Sequence, residues 1–182
     1  DDVVAAEYAE GNKVIFSPDR NMGAYLNHEY GYNMPTWTAV CDVPEKFTAD
    51  ELQRAIAGWH NGGTFILAHP ESPLSVLKMA DYIGSTKGML DWVKKHPYSL
   101  SRIFVATEEG LLYNMRKLRP DLDIRLAPTY SGCQCNACPY MKMNNVDNIT
   151  AAIKTGKGLN IQLSDLDIMK AYKPIARMME YA

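Results

Sequence analysis

Short apolar segments alternate with helical segments along most of the chain, and a polar turn follows nearly every apolar segment. Strands of four or five residues that are separated by helices are typical of parallel sheets covered by helices on both faces. The predicted strands are residues 13–16, 36–40, 64–68, 81–84, 102–106, 123–127 and 159–163. We therefore expect an α/β fold with short parallel sheets.

Helix start signals place the segments between these strands. Thr48 and Glu51 form a capping box, and Thr107 is the predicted N-cap of a helix that ends at Leu118. Pro174 should kink or restart the last helix. The predicted helices are residues 2–10, 21–30, 48–59, 75–80, 85–95, 107–118, 146–154 and the segment from 164 onward. We expect two α/β units, residues 1–62 and 63–182, that meet around Gly62 and Gly63.

The composition is that of a globular protein of 182 residues, with 47% hydrophobic and 22% charged residues. A net charge of -2 without a basic run argues against nucleic-acid or membrane-surface binding. No apolar segment approaches the ~20 residues that span a bilayer. Three of the four cysteines are bunched, unlike a secreted disulfide framework, so we expect a cytoplasmic protein. His28, His60 and His96 are predicted to be solvated.

The cysteines are the strongest local signal for chemistry. Cys133, Cys135 and Cys138 lie close together in one loop, and Cys41 follows the predicted strand at 36–40. Thiolates at such spacing suit a soft metal or an iron–sulfur cluster. The alternatives are reduced thiols, a redox pair of Cys135 and Cys138, or a structural zinc held by all four cysteines in a non-catalytic module.

Two further turns carry groups that can act on a substrate. Ligands of parallel α/β sheets bind beyond the carboxyl ends of the strands. His69 and Glu71 follow one such strand, at a spacing that lets both point into one cleft for acid–base chemistry; the alternative is a histidine that caps its own turn beside a surface glutamate. Ser85 and Thr86 lie at a helix start, where they can bind a phosphate or carboxylate, or simply cap the helix.

Six segments in series resemble the quinolinate synthase family, over nearly the whole chain. They include His-Pro-Glu at 69–71, Ala-Asp-Tyr-Ile-Gly-Ser-Thr-Lys-Gly-Met at 80–89 and Cys-Pro-Tyr-Met-Lys-Met-Asn at 138–144. The others are residues 16–23, 41–49 and 107–110. The resemblance implies three related three-layer αβα domains around a central site, with this chain corresponding to roughly the last three-fifths. Residues 1–62 would then be part of a domain that continues upstream.

The resemblance also implies a cofactor and a reaction. The family holds a [4Fe-4S] cluster with three cysteines, one from each domain, and Cys41 and Cys138 match two of them. Cys133 and Cys135 match extra cysteines that are not ligands. The third ligand would come from an upstream segment or a second chain, so the isolated chain is expected to be inactive. The family condenses iminoaspartate with dihydroxyacetone phosphate to quinolinate, with loss of phosphate and water, in NAD biosynthesis.

Roles for the two polar turns follow from the same resemblance. His69 and Glu71 would bind substrate and move protons, and Ser85 and Thr86 would hold a phosphate or carboxylate. The cluster would act as a Lewis acid. The chain departs from the family at Pro44, where a histidine usually follows the cysteine by three residues, and this puts one substrate contact in doubt.

Overall fold

The computed structural model describes residues 2–59, 63–97, 99–130, 136–156 and 161–181. The chain forms two compact units, Ile15–Pro139 and a smaller unit made of Asp1–Val14 and Tyr140–Ala182. The sequence-based boundary between residues 62 and 63 falls inside the larger unit. The division into residues 1–62 and 63–182 stays a prediction for the whole protein.

A four-stranded parallel sheet forms the centre of the larger unit, in the order β2-β1-β3-β4. Its short apolar strands confirm the predicted α/β class. All five residues of the central strand β3 are buried, as expected for a parallel strand covered on both faces. The strands are β1 (Thr64–Ala68), β2 (Tyr82–Ile83), β3 (Arg102–Ala106) and β4 (Asp123–Leu126).

Helices of the larger unit pack against the sheet, and further helices belong to the smaller unit. None of the helices in the described parts of the chain has the length and apolar character needed to cross a membrane. The helices are α1 (Asp2–Ala9), α2 (Arg20–Tyr30), α3 (Ala49–Ala57), α4 (Leu74–Leu77), α5 (Thr86–Lys95), α6 (Gly110–Leu118), α7 (Pro139–Lys142), α8 (Val146–Thr155) and α9 (Asp165–Met179).

Side chains cap α3 and α9 where the sequence predicted that these helices begin. The Thr48 hydroxyl accepts the Glu51 N–H at 3.3 Å and begins α3, which confirms that cap. Ser164 begins α9 by accepting the Asp167 N–H at 3.1 Å. Gly31 ends α2 in the left-handed conformation, with φ of 70°, which glycine adopts without strain.

The core lies between the sheet and the helices that pack on it. Met89 and Val93 of α5 and Met115 of α6 are fully buried against the strands. Leu52 of α3 belongs to the same cluster. This packing fixes the strands in register, so the turns at their carboxyl ends are held by a rigid scaffold.

The smaller unit consists of helices and their connections. Within it, Arg177 near the end of α9 pairs with Glu10 at 2.6 Å and with Glu180 at 2.7 Å. Helix α9 runs without interruption through Pro174, so the predicted restart there is wrong. A proline removes one N–H from the helical ladder, and the other hydrogen bonds of this long helix maintain it.

Two predicted strands of the larger unit are not formed. Residues 13–16 and 36–40 make one isolated parallel bridge, between Phe16 and Thr36. The Trp37 N–H donates to the Phe16 carbonyl at 2.9 Å. The side chain of Trp37 remains exposed, at 65%. A strand pair with no further neighbours is marginal, and among the described residues neither segment forms another β-bridge.

Two smaller predictions also fail. Residues 161–163 form no strand, and the rest of that predicted strand, residues 159 and 160, lies outside the described residues. Thr107 is buried and does not cap α6. That helix begins three residues later, and the Glu108 carboxylate accepts the Gly110 N–H at 2.6 Å. The N-cap residue itself is Glu109, which makes no side-chain capping hydrogen bond.

The larger unit also buries a histidine at the end of α5, against the prediction that His96 is solvated. Its ring stacks on Trp92 and meets the edge of Phe65, each at 4.6 Å between centroids. Arg119 donates to the His96 carbonyl at 2.6 Å. Burial, with a smaller effect of the Arg119 charge, lowers the pKa of His96. His28 is exposed, as predicted, and His60 lies outside the described residues.

The unfolding temperature is expected to fall as pH is lowered from 7 to 5. Because the folded state lowers the pKa of His96, the unfolded state binds the proton first. The contribution of His96 to stability is complete above the ordinary histidine pKa of about 6.5 and declines below that pH. The unfolding temperature of His96→Gln should depend less on pH than that of the wild type, whereas that of His28→Gln should show the wild-type dependence. Identical pH dependence in wild type and His96→Gln would contradict this account.

Candidate functional site

The carboxyl ends of three strands meet at one edge of the sheet. The His69 N–H donates to the Ala106 carbonyl at 3.1 Å, and the Gly84 N–H donates to the Ala68 carbonyl at 3.1 Å. The turns after β1, β2 and β3 are therefore neighbours. This is the edge at which parallel α/β sheets bind their ligands.

His69 and Glu71 contact each other in the turn after β1. The Nδ1 atom of His69 lies 3.3 Å from a carboxylate oxygen of Glu71 and accepts a long contact of 3.4 Å from the Glu71 N–H. Both side chains are half-buried. The turn is closed by the Ser72 N–H, which donates to the His69 carbonyl at 2.9 Å. An imidazole and a carboxylate in this arrangement can share or pass a proton.

Cys41 joins this pair from a distant part of the sequence. The Glu71 carboxylate lies near its thiol. Burial is the main cause that raises the pKa of Cys41, the charges of Glu71 and Asp19 add to it, and a backbone hydrogen bond from Val43 opposes it. The thiol is thus protonated in the protein alone, and binding a metal would release its proton. Glu71 therefore contacts His69 directly and acts on the thiol of Cys41 through its charge.

Cys138 lies on a loop that is tied to the Cys41 loop. The buried Asn136 donates its side-chain amide to the Val43 carbonyl at 2.8 Å. Asn136 is two residues before Cys138, and Val43 is two residues after Cys41. Neither cysteine is in a disulfide, and both are half-buried. This hydrogen bond therefore holds the two cysteine-bearing loops together.

The remaining cysteines, Cys133 and Cys135, lie outside the described residues, so their predicted status as non-ligands stays a prediction. Within the residues that the structure describes, no three histidine, cysteine, aspartate or glutamate side chains gather into a metal-binding group. The donors that this part of the chain offers to a soft metal are the thiols of Cys41 and Cys138.

Ser85 and Thr86 are exposed at the start of α5, in the turn after β2. The Ser85 hydroxyl accepts the Gly88 N–H at 3.2 Å and therefore caps the helix. The hydroxyl of Tyr82 lies over this turn, since a Cβ atom placed on Gly88 would come within 2.2 Å of it. Glycine at this position leaves room for the tyrosine beside the helix start.

Sequence reasoning missed two side chains that hold these turns, Asp19 and Asn21. Asp19 accepts the Cys41 N–H at 2.8 Å, and Asn21 donates to the Glu71 carbonyl at 3.0 Å. A weak signal was present, because both belong to a polar turn after a predicted strand.

Pro44, where the chain departs from the family pattern, is buried and begins a short 3-10 turn, Pro44–Lys46.

Comparisons with known proteins identify the family. The family model for "Quinolinate synthetase A protein" matches residues 1–180. The quinolinate synthase of Microcystis aeruginosa is 36% identical over 167 residues, which cover 92% of this chain and 51% of that protein. The quinolinate synthase of Synechocystis is 35% identical, with coverage of 92% and 51%, and that of Cyanophora paradoxa is 34% identical, with coverage of 92% and 49%.

The chain spans about half the length of these relatives. The family match nevertheless extends over almost the whole of the chain itself, including both described cysteines and both polar turns of the sheet edge. The predicted resemblance is thereby confirmed, and the chain belongs to the quinolinate synthetase A protein family.

Proposed function

We propose that this chain carries part of the active site of a quinolinate synthase. The reaction would condense iminoaspartate with dihydroxyacetone phosphate to quinolinate, with loss of phosphate and water, in NAD biosynthesis. The observation that carries the proposal is the placement of Glu71, whose carboxylate lies 3.3 Å from Nδ1 of His69 and, after burial, helps to raise the pKa of the Cys41 thiol. It combines a soft-metal donor with an acid–base pair at the ligand-binding edge of the sheet.

The cofactor that fits this donor set is a [4Fe-4S] cluster. Cys41 and Cys138 are outside disulfides, partly accessible and on loops joined by the bond from Asn136 to Val43. Thiolates are the ligands that such clusters take. The third thiolate would come from an upstream segment or a second chain. When bound, the cluster would supply a Lewis acid through an iron that has no protein ligand.

The side chains of this chain would then have distinct tasks. Since Nδ1 of His69 faces Glu71, its Nε2 can donate to a substrate carboxylate or to a leaving oxygen. Glu71 can hold or accept a proton at its carboxylate. Ser85, Thr86 and the N–H groups at the start of α5 can bind a phosphate or a carboxylate, because the helix dipole favours negative charge there.

The test is quinolinate formation by the full-length gene product after anaerobic reconstitution with iron and sulfide. We expect turnover together with the visible absorption of an iron–sulfur protein. The 182-residue chain should form no quinolinate, because its two assigned thiolates cannot replace a set of three.

Two outcomes would contradict parts of this proposal. A colourless protein with one zinc bound by Cys41, Cys133, Cys135 and Cys138 would favour the non-catalytic zinc module. Quinolinate formed by the 182-residue chain alone would show that no outside thiolate is needed.

A further inference from the structure

The carboxylate of Asp19 accepts hydrogen bonds from two separate backbone segments near the site. One oxygen accepts the Met22 N–H at 2.8 Å and caps α2, and the other accepts the Cys41 N–H at 2.8 Å. The side chain is almost completely buried, with 1% exposed. Among the described residues, no lysine or arginine forms an ion pair with it. These N–H groups therefore compensate much of the cost of burying the charge.

Helix capping alone does not require this arrangement. Thr48 caps α3 with a single hydroxyl oxygen, and Ser85 does the same for α5. A buried carboxylate is a costly choice for the same task. What the carboxylate adds is a second acceptor, and that acceptor holds the backbone of Cys41, 22 residues away.

The same turn of α2 also holds the acid–base turn. The Asn21 side-chain amide donates to the Glu71 carbonyl at 3.0 Å and to the Glu45 carboxylate at 2.6 Å. Glu45 in turn pairs with Arg20. The first turn of α2 thus binds the Cys41 loop through Asp19 and the His69–Glu71 turn through Asn21.

We propose that Asp19 is a positioning residue that, together with Asn21, fixes Cys41 against Glu71. The Asp19 carboxylate sets the backbone of the cysteine, and the Asn21 amide sets the backbone of the glutamate, both from one rigid helical turn. The importance of this positioning for a cluster ligand rests on the proposed function. The anchoring of the Cys41 backbone by Asp19 does not depend on it.

The first experiment measures hydrogen exchange of the Cys41 amide by NMR in the 182-residue chain. Asp19→Asn is nearly isosteric but offers one acceptor instead of two. Asp19→Ser keeps a capping hydroxyl that is too short to serve both N–H groups. Loss of a hydrogen bond to a charged group corresponds to about tenfold to a hundredfold faster exchange, and we expect this at Cys41 in both variants.

Thr48→Ala is the matched control, because it removes a helix cap that does not contact Cys41. It should speed exchange in α3 and leave the Cys41 amide unchanged. If the Cys41 amide exchanges as slowly in Asp19→Asn and Asp19→Ser as in the wild type, the proposal is wrong.

The second experiment compares cluster content per folded protein after anaerobic reconstitution of the full-length gene product. Asp19→Asn should hold several-fold less cluster than Thr48→Ala. Equal content in the two variants would overturn the positioning role and leave Asp19 as a structural residue. If the wild type itself takes up no cluster, the proposed function fails, and the exchange result alone still decides whether Asp19 anchors Cys41.

Discussion

Replacing Cys41 or Cys138 with serine is expected to abolish binding of the proposed iron–sulfur cluster by the full-length gene product. A serine oxygen is a poor substitute for a thiolate toward the iron of such a cluster. With three thiolates in the proposed set, each one is required. Iron content and visible absorption per protein should therefore fall close to background in both variants.

The other two cysteines provide matched controls that are close to Cys138 in the sequence. Cys133→Ser and Cys135→Ser change the same chemical group but lie outside the proposed ligand set. Both variants should retain near-normal iron content. Loss of the cluster in Cys135→Ser but not in Cys138→Ser would reverse the assignment of these residues.

The positions of the two cysteines give a reason to expect that Cys41→Ser and Cys138→Ser still fold. Cys41 and Cys138 are half-buried and lie on loops beside the sheet, outside the main apolar core. The contact that joins their loops runs from the Asn136 side chain to the Val43 carbonyl, and neither sulfur takes part in it. A melting temperature near that of the wild type, measured in the absence of iron, would separate ligand loss from unfolding.

The sheet was predictable because its signals are local. Residues 65–68 and 103–106 are continuous apolar runs, and the strands that contain them have the predicted bounds, Thr64–Ala68 and Arg102–Ala106. The segments at 13–16 and 36–40 carry a similar pattern but form only one bridge. A strand depends on hydrogen-bonded neighbours as well as on its own residues, and a local pattern does not reveal whether those neighbours are present.

The site was likewise predictable only where its contacts are local in the sequence. His69 and Glu71 are two residues apart, so their contact follows from a turn. The bond from the Cys41 N–H to Asp19 and the bond from Asn21 to the Glu71 carbonyl join segments that are far apart in sequence. Such contacts depend on how α2 and the loops pack, which periodicity and capping rules do not specify.

Glu71→Gln is expected to lower the turnover of the full-length gene product by about 100- to 10,000-fold, the usual cost of losing an acid–base group. Glutamine keeps the size of the side chain and an oxygen that accepts hydrogen bonds. It cannot take up a proton as a carboxylate does. His69→Asn should have an effect of similar size, because asparagine retains polar atoms but neither accepts nor releases a proton near neutral pH.

The same measurements must show that the variants are folded and loaded. Cluster content and melting temperature should stay close to those of the wild type, since both side chains are only half-buried and lie outside the apolar core. Glu51→Gln, which alters a carboxylate on α3 that pairs with Arg54, should keep normal turnover. If the Glu71→Gln and His69→Asn proteins both form quinolinate at near-normal rates while loaded with cluster, the two residues only stabilise the loop that they belong to. Acid–base chemistry would then have to come from groups outside this turn.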